Sequence, residues 1–260
     1  KTAYEIVSRD WSSDVCSSDL QGKMYTFRAP SQVLQTLADV GVDVVTQANN
    51  HAVDYGRRGL ADAVAAKSSS PVAIVGLGAN LADAIAPYHT VIKGNDIAIF
   101  GIDAFRPLPA WRAGADSAGV AVWKWNRVEI LRQMKSAADG GALVVAYVHW
   151  GVEYDTCPRV SQEQIADDLI AAGARVIVGA HPHVLQGVGY KSGALVDYSL
   201  GNFAWYGHAG TPSIVLHVSV HSGQIISYST TPVMWDKRGL PHEVTGTKAT
   251  KVAQVLAKRS

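Results

Sequence analysis

Apolar positions between residues 30 and 178 alternate between a helical period and short continuous runs that are typical of buried strands. The helical period covers residues 30–40, 57–67, 81–86, 128–138 and 161–172, the last with a capping box at Ser161 and Gln164. The strand-like runs cover 42–46, 72–75, 96–102, 143–148 and 176–178. Because strands and helices alternate, the pattern predicts a sheet with parallel strand pairs and helices on its faces.

Beyond residue 190 the pattern changes to strands that follow one another without helices, at 194–200, 213–220 and 224–230. The His-Ser-Gly sequence at 221–223 predicts a hairpin turn between the last two of these strands. A short helix is expected at 248–258. The whole pattern therefore predicts an α/β fold of two packed mixed β-sheets flanked by helices, in one domain over residues 21–260.

The first twenty residues, KTAYEIVSRDWSSDVCSSDL, have no helical or strand period and differ in composition from the rest of the chain. Their back-translation matches a sequencing-library adapter around a variable index. We therefore interpret residues 1–20 as a non-native, adapter-derived segment that packs against nothing specific, because it offers no amphipathic face to bury. The domain over residues 21–260 is then expected to be partial, with its true N-terminus lost.

Composition excludes several classes of function. The chain is 48% apolar and 17% charged with a formal net charge of +1, and no Lys/Arg run is interleaved with aromatic residues, so nucleic acid is not an expected partner. Trp123 and Trp125 alternate like side chains on a strand face, which indicates packing. A membrane span needs about 18 consecutive apolar residues, and the residues given contain no such run.

Polar side chains follow three predicted strands, at the point where each strand ends. They are Asn-Asn-His at 49–51, His149, and His-Pro-His at 181–183. Ligands of open α/β sheets bind outside the carboxyl ends of the strands, so we expect these three loops to converge on one site. Imidazole nitrogens and an amide oxygen suit Mn, Fe or Zn, and a pair of such ions can activate water and stabilise a leaving oxygen.

Each of these pieces also has a simpler interpretation when it is taken alone. An Asn pair is common in turns and helix caps, a single His in an apolar strand is often a core residue, and His-Pro-His is often a turn. Asp54, Asp103 and Glu153 lie near predicted strand ends, where solvated or capping carboxylates are the alternative. The joint placement of the three clusters at strand ends favours the shared site.

Four ordered motifs carry a resemblance to a known family. ANNHAVDYG at 48–56, HWGVEY at 149–154, GAHPHVLQG at 179–187 and YSLGNF at 198–203 resemble the CapA family of capsule and poly-γ-glutamate synthesis proteins. That family is similar to the calcineurin-like metallophosphoesterases. The resemblance implies a metallophosphoesterase-like four-layer sandwich, here lacking its first strands.

The resemblance also implies roles for individual residues. A divalent metal pair of the Mn, Fe or Zn type would be held by four ligands, namely Asn50, His149, His181 and His183. His51 would contact the leaving oxygen of the substrate as the catalytic residue. Asn49, Asp54, Glu153 and Asn202 are expected to support these groups, although the chemistry alone assigns no role to Asn202.

The acidic motifs that the resemblance calls for, an upstream Gly-Asp and a later acidic motif, are not found in the chain. Two divalent ions held by neutral ligands alone would have no protein counter-charge, and burying uncompensated charge costs several kcal/mol per ion. We therefore expect weak metal binding and no activity in this chain. Location at the cell surface, or export, is implied by the resemblance only.

Two functions are compatible with these observations. The first is a metal-dependent hydrolase of a phosphoester or polyglutamate-type substrate, linked to capsule or poly-γ-glutamate metabolism and active when full length. The second is a non-catalytic component that works with capsule synthesis machinery in assembling or exporting an anionic polymer such as poly-γ-glutamate. The metal-ligand motif favours the first, and the usual naming of the family favours the second.

Overall fold

The computed structural model describes residues 3–5, 25–105, 108–204 and 210–259. In chain order the elements are β1 (Ala3–Glu5), α1 (Gln32–Asp39), β2 (Val44–Thr46), α2 (Gly56–Ser69), β3 (Ala73–Val75), β4 (Leu77–Gly78), α3 (Leu81–Ala84), β5 (Tyr88–Ile92), β6 (Asn95–Asp103), a 3-10 helix (Pro109–Trp111), β7 (Gly119–Val120), α4 (Trp123–Asp139), β8 (Leu143–His149), α5 (Val160–Ala171), β9 (Ala174–Ala180), β10 (Val188–Lys191), β11 (Ala194–Asp197), β12 (Pro212–His221), β13 (Gln224–Trp235), β14 (Pro241–Glu243) and α6 (Gly246–Ala257). They form two compact units, one from Lys1–Tyr88 with Ile99–Gln133 and the other from His89–Ala98 with Met134–Ser260.

The first unit contains a parallel three-stranded sheet in the order β1-β2-β3. All three residues of β2 are buried. Val45 lies in a core cluster with aliphatic side chains from α1 and from the flanking strand and loops, namely Leu34, Val42, Val72 and Ile74. The aliphatic runs that predicted β2 and β3 therefore fill the space between the sheet and its helix.

The pairing of β1 corrects one expectation. Ala3–Glu5 lies within the segment predicted to pack against nothing specific, yet it pairs in parallel with Val44–Thr46. A strand can add to a sheet edge through backbone N–H and C=O groups alone, so the missing amphipathic face does not prevent pairing. The remainder of residues 1–20 lies outside the described residues, and the adapter origin of the segment stays a prediction.

The predicted strand face at Trp123 and Trp125 is wrong, because both residues belong to the first turn of α4. The side-chain oxygen of Asn126 accepts a hydrogen bond from the backbone N–H of Val122 at 3.1 Å, and this bond fixes the start of the helix. Trp125 then packs against the core cluster that contains Leu60. Packing was thus the correct role for Trp125, but on a helix.

The largest sheet has six strands in the order β10-β11-β9-β8-β6-β5. β8, β9 and β11 are parallel neighbours, whereas β10 runs antiparallel to β11, so the sheet is mixed. Helix α5 begins at Val160, one residue before the predicted start. The side-chain bond at its N-terminus is made by Gln162, which accepts from the N–H of Arg159 at 2.9 Å, in place of the predicted Ser161–Gln164 box.

The C-terminal part of the second unit is antiparallel, as predicted. β12, β13 and β14 form one sheet, and the β12–β13 hairpin turns through Ser222 at φ 50° and Gly223 at φ 72°. Two successive positive φ values are what a two-residue hairpin turn requires. Val252 of α6 packs on Ile214 and Met234 in the core beside this sheet.

These elements confirm the predicted α/β class, with one mixed six-stranded sheet and flanking helices; the other described sheets are purely parallel or purely antiparallel. Across the described ranges, none of the helices combines the length and the apolar character that a membrane crossing needs.

Candidate metal centre

The Asn-Asn-His loop of the first unit follows β2 directly. The Asn49 side-chain oxygen accepts a hydrogen bond from the backbone N–H of His51 at 2.8 Å, and Thr46 Oγ1 accepts from the N–H of Ala48 at 3.1 Å. Both asparagines are buried. Asn49 therefore shapes the turn that presents Asn50 and His51, which is the role of an Asx turn.

His51 is oriented by a buried carboxylate. Its Nδ1 lies 2.7 Å from Asp54 Oδ2, and the Asp54 side chain is 0% exposed while that of His51 is 20% exposed. The same Asp54 oxygen accepts the backbone N–H of Phe27 at 2.9 Å, and the Phe27 ring meets the His51 ring edge-on at 4.5 Å. An ionised carboxylate only accepts hydrogen bonds, so Nδ1 carries the proton and Nε2 is the atom that can exchange one.

Asp103, also in the first unit, has a local role. Its Oδ1 accepts a hydrogen bond from the backbone N–H of Phe105 at 3.0 Å, which is the turn-stabilising interaction expected of a carboxylate at a strand end.

In the second unit, strand register brings His149 and His181 together. His149 is the last residue of β8 and pairs with Ala180, the last residue of the parallel strand β9. His181 follows Ala180 directly, so the two imidazoles meet at the same edge of the sheet, with ring centroids 4.7 Å apart at 59°. Both side chains are buried.

The His-Pro-His turn has an unusual backbone. His181 has φ 96° and His183 has φ 60°, which are left-handed values that favour glycine. Such residues cost about 1–3 kcal/mol each and persist where the surrounding structure holds them, often at ligand sites. The turn places the His181 and His183 rings 5.9 Å apart.

Asn202 fixes the orientation of His183, which answers the question that the YSLGNF motif left open. The His183 Nδ1 lies 2.7 Å from the side-chain oxygen of Asn202, and the Asn202 carbonyl accepts the indole N–H of Trp235 at 2.6 Å. An amide oxygen only accepts, so His183 carries its proton on Nδ1 and its Nε2 lone pair can bind a metal. Metal-binding histidines commonly donate their second ring N–H to such an acceptor.

A carboxylate joins the two histidines of the turn. One ligand atom each from Glu153, His181 and His183 lies within 4.8 Å of the others, with Glu153 exposed and His181 buried. His149 is next to His181 but outside this three-residue group. Four ligand roles stay predictions. They are those of His149, His181 and His183 in this unit and that of Asn50 in the first unit.

Asp197, a fully buried carboxyl group at the end of β11, was missed by sequence reasoning. It pairs with Val188 on one side and Val178 on the other. Burial raises its pKa to about 8; the backbone N–H of Ser199 acts in the opposite direction and offsets only part of the shift. No hydrogen bond of good geometry reaches either carboxyl oxygen from the described residues. The only sequence signal for this buried carboxyl group was an acidic residue at the end of an apolar run.

The sequence profile of the family described as "Bacterial capsule synthesis protein PGA_cap" matches residues 13–206. The chain belongs to this family. Its match begins within the segment predicted to be foreign, and the predicted resemblance to CapA proteins is confirmed.

Similar proteins with curated descriptions agree with the family. "Capsule biosynthesis protein CapA" of Bacillus anthracis is 35% identical over 182 residues, covering 68% of this chain and 43% of that protein. "PGA biosynthesis protein CapA" of Bacillus subtilis (strain 168) is 34% identical over 173 residues, covering 66% and 45%. A "Probable polyglutamine synthesis accessory protein" of Mycobacterium tuberculosis (strain ATCC 25618 / H37Rv) is 26% identical, covering 61% and 44%. The chain thus spans less than half the length of these relatives.

Two solved structures are similar at 14% sequence identity. A hypothetical protein from Thermus thermophilus aligns with a TM-score of 0.49 over 78% of this chain and 81% of that one. The NAD nucleotidase NadN of Haemophilus influenzae aligns with a TM-score of 0.46 over 88% of this chain and 43% of that one.

Proposed function

We propose that this protein is a divalent-metal-dependent hydrolase of the phosphoester type that acts in capsule or poly-γ-glutamate metabolism. The observation that carries the proposal is the group of imidazoles at the ends of β8 and β9, in which Asn202 holds His183 with Nε2 ready to coordinate. Membership of the capsule synthesis family supports the biological context.

The residues present fit a first-row divalent ion. Neutral imidazole nitrogens with one carboxylate are the donor set of many Zn, Fe and Mn centres, and the Asn202 contact supplies the hydrogen bond that such centres usually place behind a ligand. When bound, the metal would polarise the phosphoryl oxygens and lower the pKa of water.

The proton-transfer role belongs to His51 in this proposal. Its contact with the buried Asp54 keeps a proton on Nδ1 and orients the ring, so Nε2 is the atom through which a proton can pass to a leaving oxygen. Asn50 is proposed as a further ligand on the strength of the sequence motif and its buried position.

The test uses the full-length protein with its native N-terminus, because no activity is expected of this chain. It measures turnover of an activated phosphodiester, bis-p-nitrophenyl phosphate, with and without Mn²⁺. We expect Mn²⁺-dependent turnover that falls by about 10²–10⁴ in His51→Ala, the usual contribution of a positioned acid or base. His89→Ala is the matched control, because the His89 side chain is 53% exposed and pairs with the similarly accessible Asp96. Equal turnover in His51→Ala and wild type would refute the assigned role, and absence of Mn²⁺-dependent turnover would refute the hydrolase.

A second function is favoured by the names of the relatives, which describe biosynthesis and an accessory role. In this alternative the protein binds poly-γ-glutamate or its assembly machinery without hydrolysing anything. Binding of poly-γ-glutamate that is unchanged in His51→Ala, together with no metal-dependent turnover, would favour the alternative over the hydrolase.

A further inference from the structure

We propose that Glu153 supplies the anionic ligand of a single-ion centre with His181 and His183, all within the second unit. The inference rests on the proposed metal dependence but not on the hydrolytic step. The exposed Glu153 carboxylate would supply the negative charge that the neutral histidine ligands cannot provide.

A backbone contact joins the Glu153 loop to the histidine turn. The N–H of Tyr154 donates to the carbonyl oxygen of Pro182 at 2.8 Å. Glu153 immediately precedes the donor, while His181 and His183 flank the acceptor. This one hydrogen bond therefore fixes the carboxylate loop against the histidine turn, and Tyr154 adopts a left-handed φ of 62° where it is made.

Two buried glutamines hold the Glu153 loop in place. Gln162 and Gln186 are 1% and 0% exposed, and Gln162 Nε2 donates to Gln186 Oε1 at 2.9 Å. Gln186 Nε2 in turn donates to the carbonyl oxygen of Asp155 at 2.8 Å, two residues after Glu153. The two residues that follow Glu153 are thus both held by hydrogen bonds, and the buried Gln186 amide is satisfied by the backbone of this loop.

Gly151 shows how closely the loop approaches these glutamines. A Cβ atom at this position would lie 2.9 Å from Gln162 Oε1, and the residue has φ 87°. Glycine therefore allows the chain leaving His149 to turn across Gln162 and to bring Glu153 back over the histidine turn.

Charge and geometry also favour Glu153 as a ligand. Two neutral imidazoles would leave the full +2 charge of a divalent ion, whereas the Glu153 carboxylate reduces the centre to +1. Ligand atoms around a tetrahedral ion at about 2.0–2.2 Å are roughly 3.4 Å apart. The ligand atoms of Glu153, His181 and His183 lie within 4.8 Å of one another, so they must move closer together by a small distance to bind one ion. An exposed Glu side chain can make this movement by a rotamer change. Three protein ligands also leave coordination positions open to a substrate.

The experiment is calorimetric titration of the 260-residue chain with Mn²⁺, after treatment with a chelator. We expect one ion per chain, and we expect Glu153→Gln to weaken the affinity at least about tenfold, the lower end of the range for disturbed metal sites. Glu163→Gln is the matched control, since Glu163 is an exposed Glu of the same unit. His183→Gly removes an imidazole at a backbone position that glycine accepts, and it should lose binding as well.

The outcomes separate this inference from the proposed function. Equal affinities of Glu153→Gln and wild type, with binding lost in His183→Gly, would overturn the Glu153 assignment while leaving a histidine centre. A selective loss in Glu153→Gln supports it even if bis-p-nitrophenyl phosphate is never hydrolysed, a result that would refute only the hydrolase. Circular dichroism melting in chelator distinguishes lost ligands from lost folding, because an exposed Glu→Gln change should leave the melting temperature unchanged.

Discussion

Replacing Asp197 by Asn should make the protein more stable at neutral and alkaline pH. Asp197 is fully buried between Val178 and Val188, and the amide of Asn has the shape of the protonated carboxyl group without its tendency to ionise. The carboxyl pKa is raised from 3.8 to about 8 by burial. At neutral pH the folded protein therefore keeps this group protonated, whereas the unfolded chain ionises it.

The sign of the pH dependence follows from these two pKa values. Between pH 3.8 and about 8 the folded state binds one more proton at Asp197 than the unfolded state, so the free energy of unfolding falls as the pH rises. The slope is at most about 1.4 kcal/mol per pH unit, and the whole window corresponds to at most about 6 kcal/mol. Below pH 3.8 Asp197 is protonated in both states, and above about pH 8 the loss of unfolding free energy is complete.

The assay is urea denaturation from pH 5 to pH 9, followed by tryptophan fluorescence and circular dichroism. The difference in unfolding free energy between Asp197→Asn and wild type should grow steadily with pH and level off above about pH 8. Asp167→Asn is a suitable control, because the Asp167 side chain is 58% exposed and pairs with Lys191 on the surface. Parallel stability curves for Asp197→Asn and wild type would show that Asp197 is ionised in the folded protein as it is in the unfolded chain, contrary to this prediction.

Three further predictions concern the site and its supports. Asn202→Ala should release Nδ1 of His183 and weaken Mn²⁺ binding about 10–100-fold, measured by calorimetry; unchanged affinity would contradict the orienting role. Asp54→Asn should lower kcat far more than it raises KM, since it removes the acceptor that orients His51 through Nδ1; a lowered melting temperature with an unchanged kcat would instead show a purely structural role. Gly179→Ala should prevent folding of the second unit, because the added Cβ would overlap the Tyr198 carbonyl and the Trp150 indole nitrogen; soluble expression with a wild-type melting curve would refute this packing.

Much of the fold was predictable because apolar periodicity records which side of an element is buried. The parallel strands β2, β8 and β9 are buried on both faces, so their aliphatic runs stand out in the sequence. The short strands β4 and β7 have two residues each and carry no period to detect. Trp123 and Trp125 show the limit of short patterns, because an alternation over three residues fits a strand and the first turn of a helix equally well.

Some residues of the candidate site were likewise predictable from the sequence, and others were not. His149 and His181 were predictable because they directly follow aliphatic runs, and the strand register then places them side by side. The contribution of Glu153 was not, because it depends on a hydrogen bond between Tyr154 and Pro182, residues 28 positions apart in the chain. Asn202 likewise reaches His183 through tertiary structure, 19 residues away. Contacts of this kind leave no periodic signal in a single sequence.

Pulsed electron paramagnetic resonance of the Mn²⁺-loaded protein shows whether the histidine turn of the second unit binds a divalent metal. We expect nitrogen couplings from imidazoles bound to Mn²⁺ in wild type and in the control His89→Ala, whereas His183→Gly should show neither bound Mn²⁺ nor these couplings. Bound Mn²⁺ without any nitrogen coupling in wild type, or the same couplings in His183→Gly as in wild type, would be incompatible with a metal site at this turn.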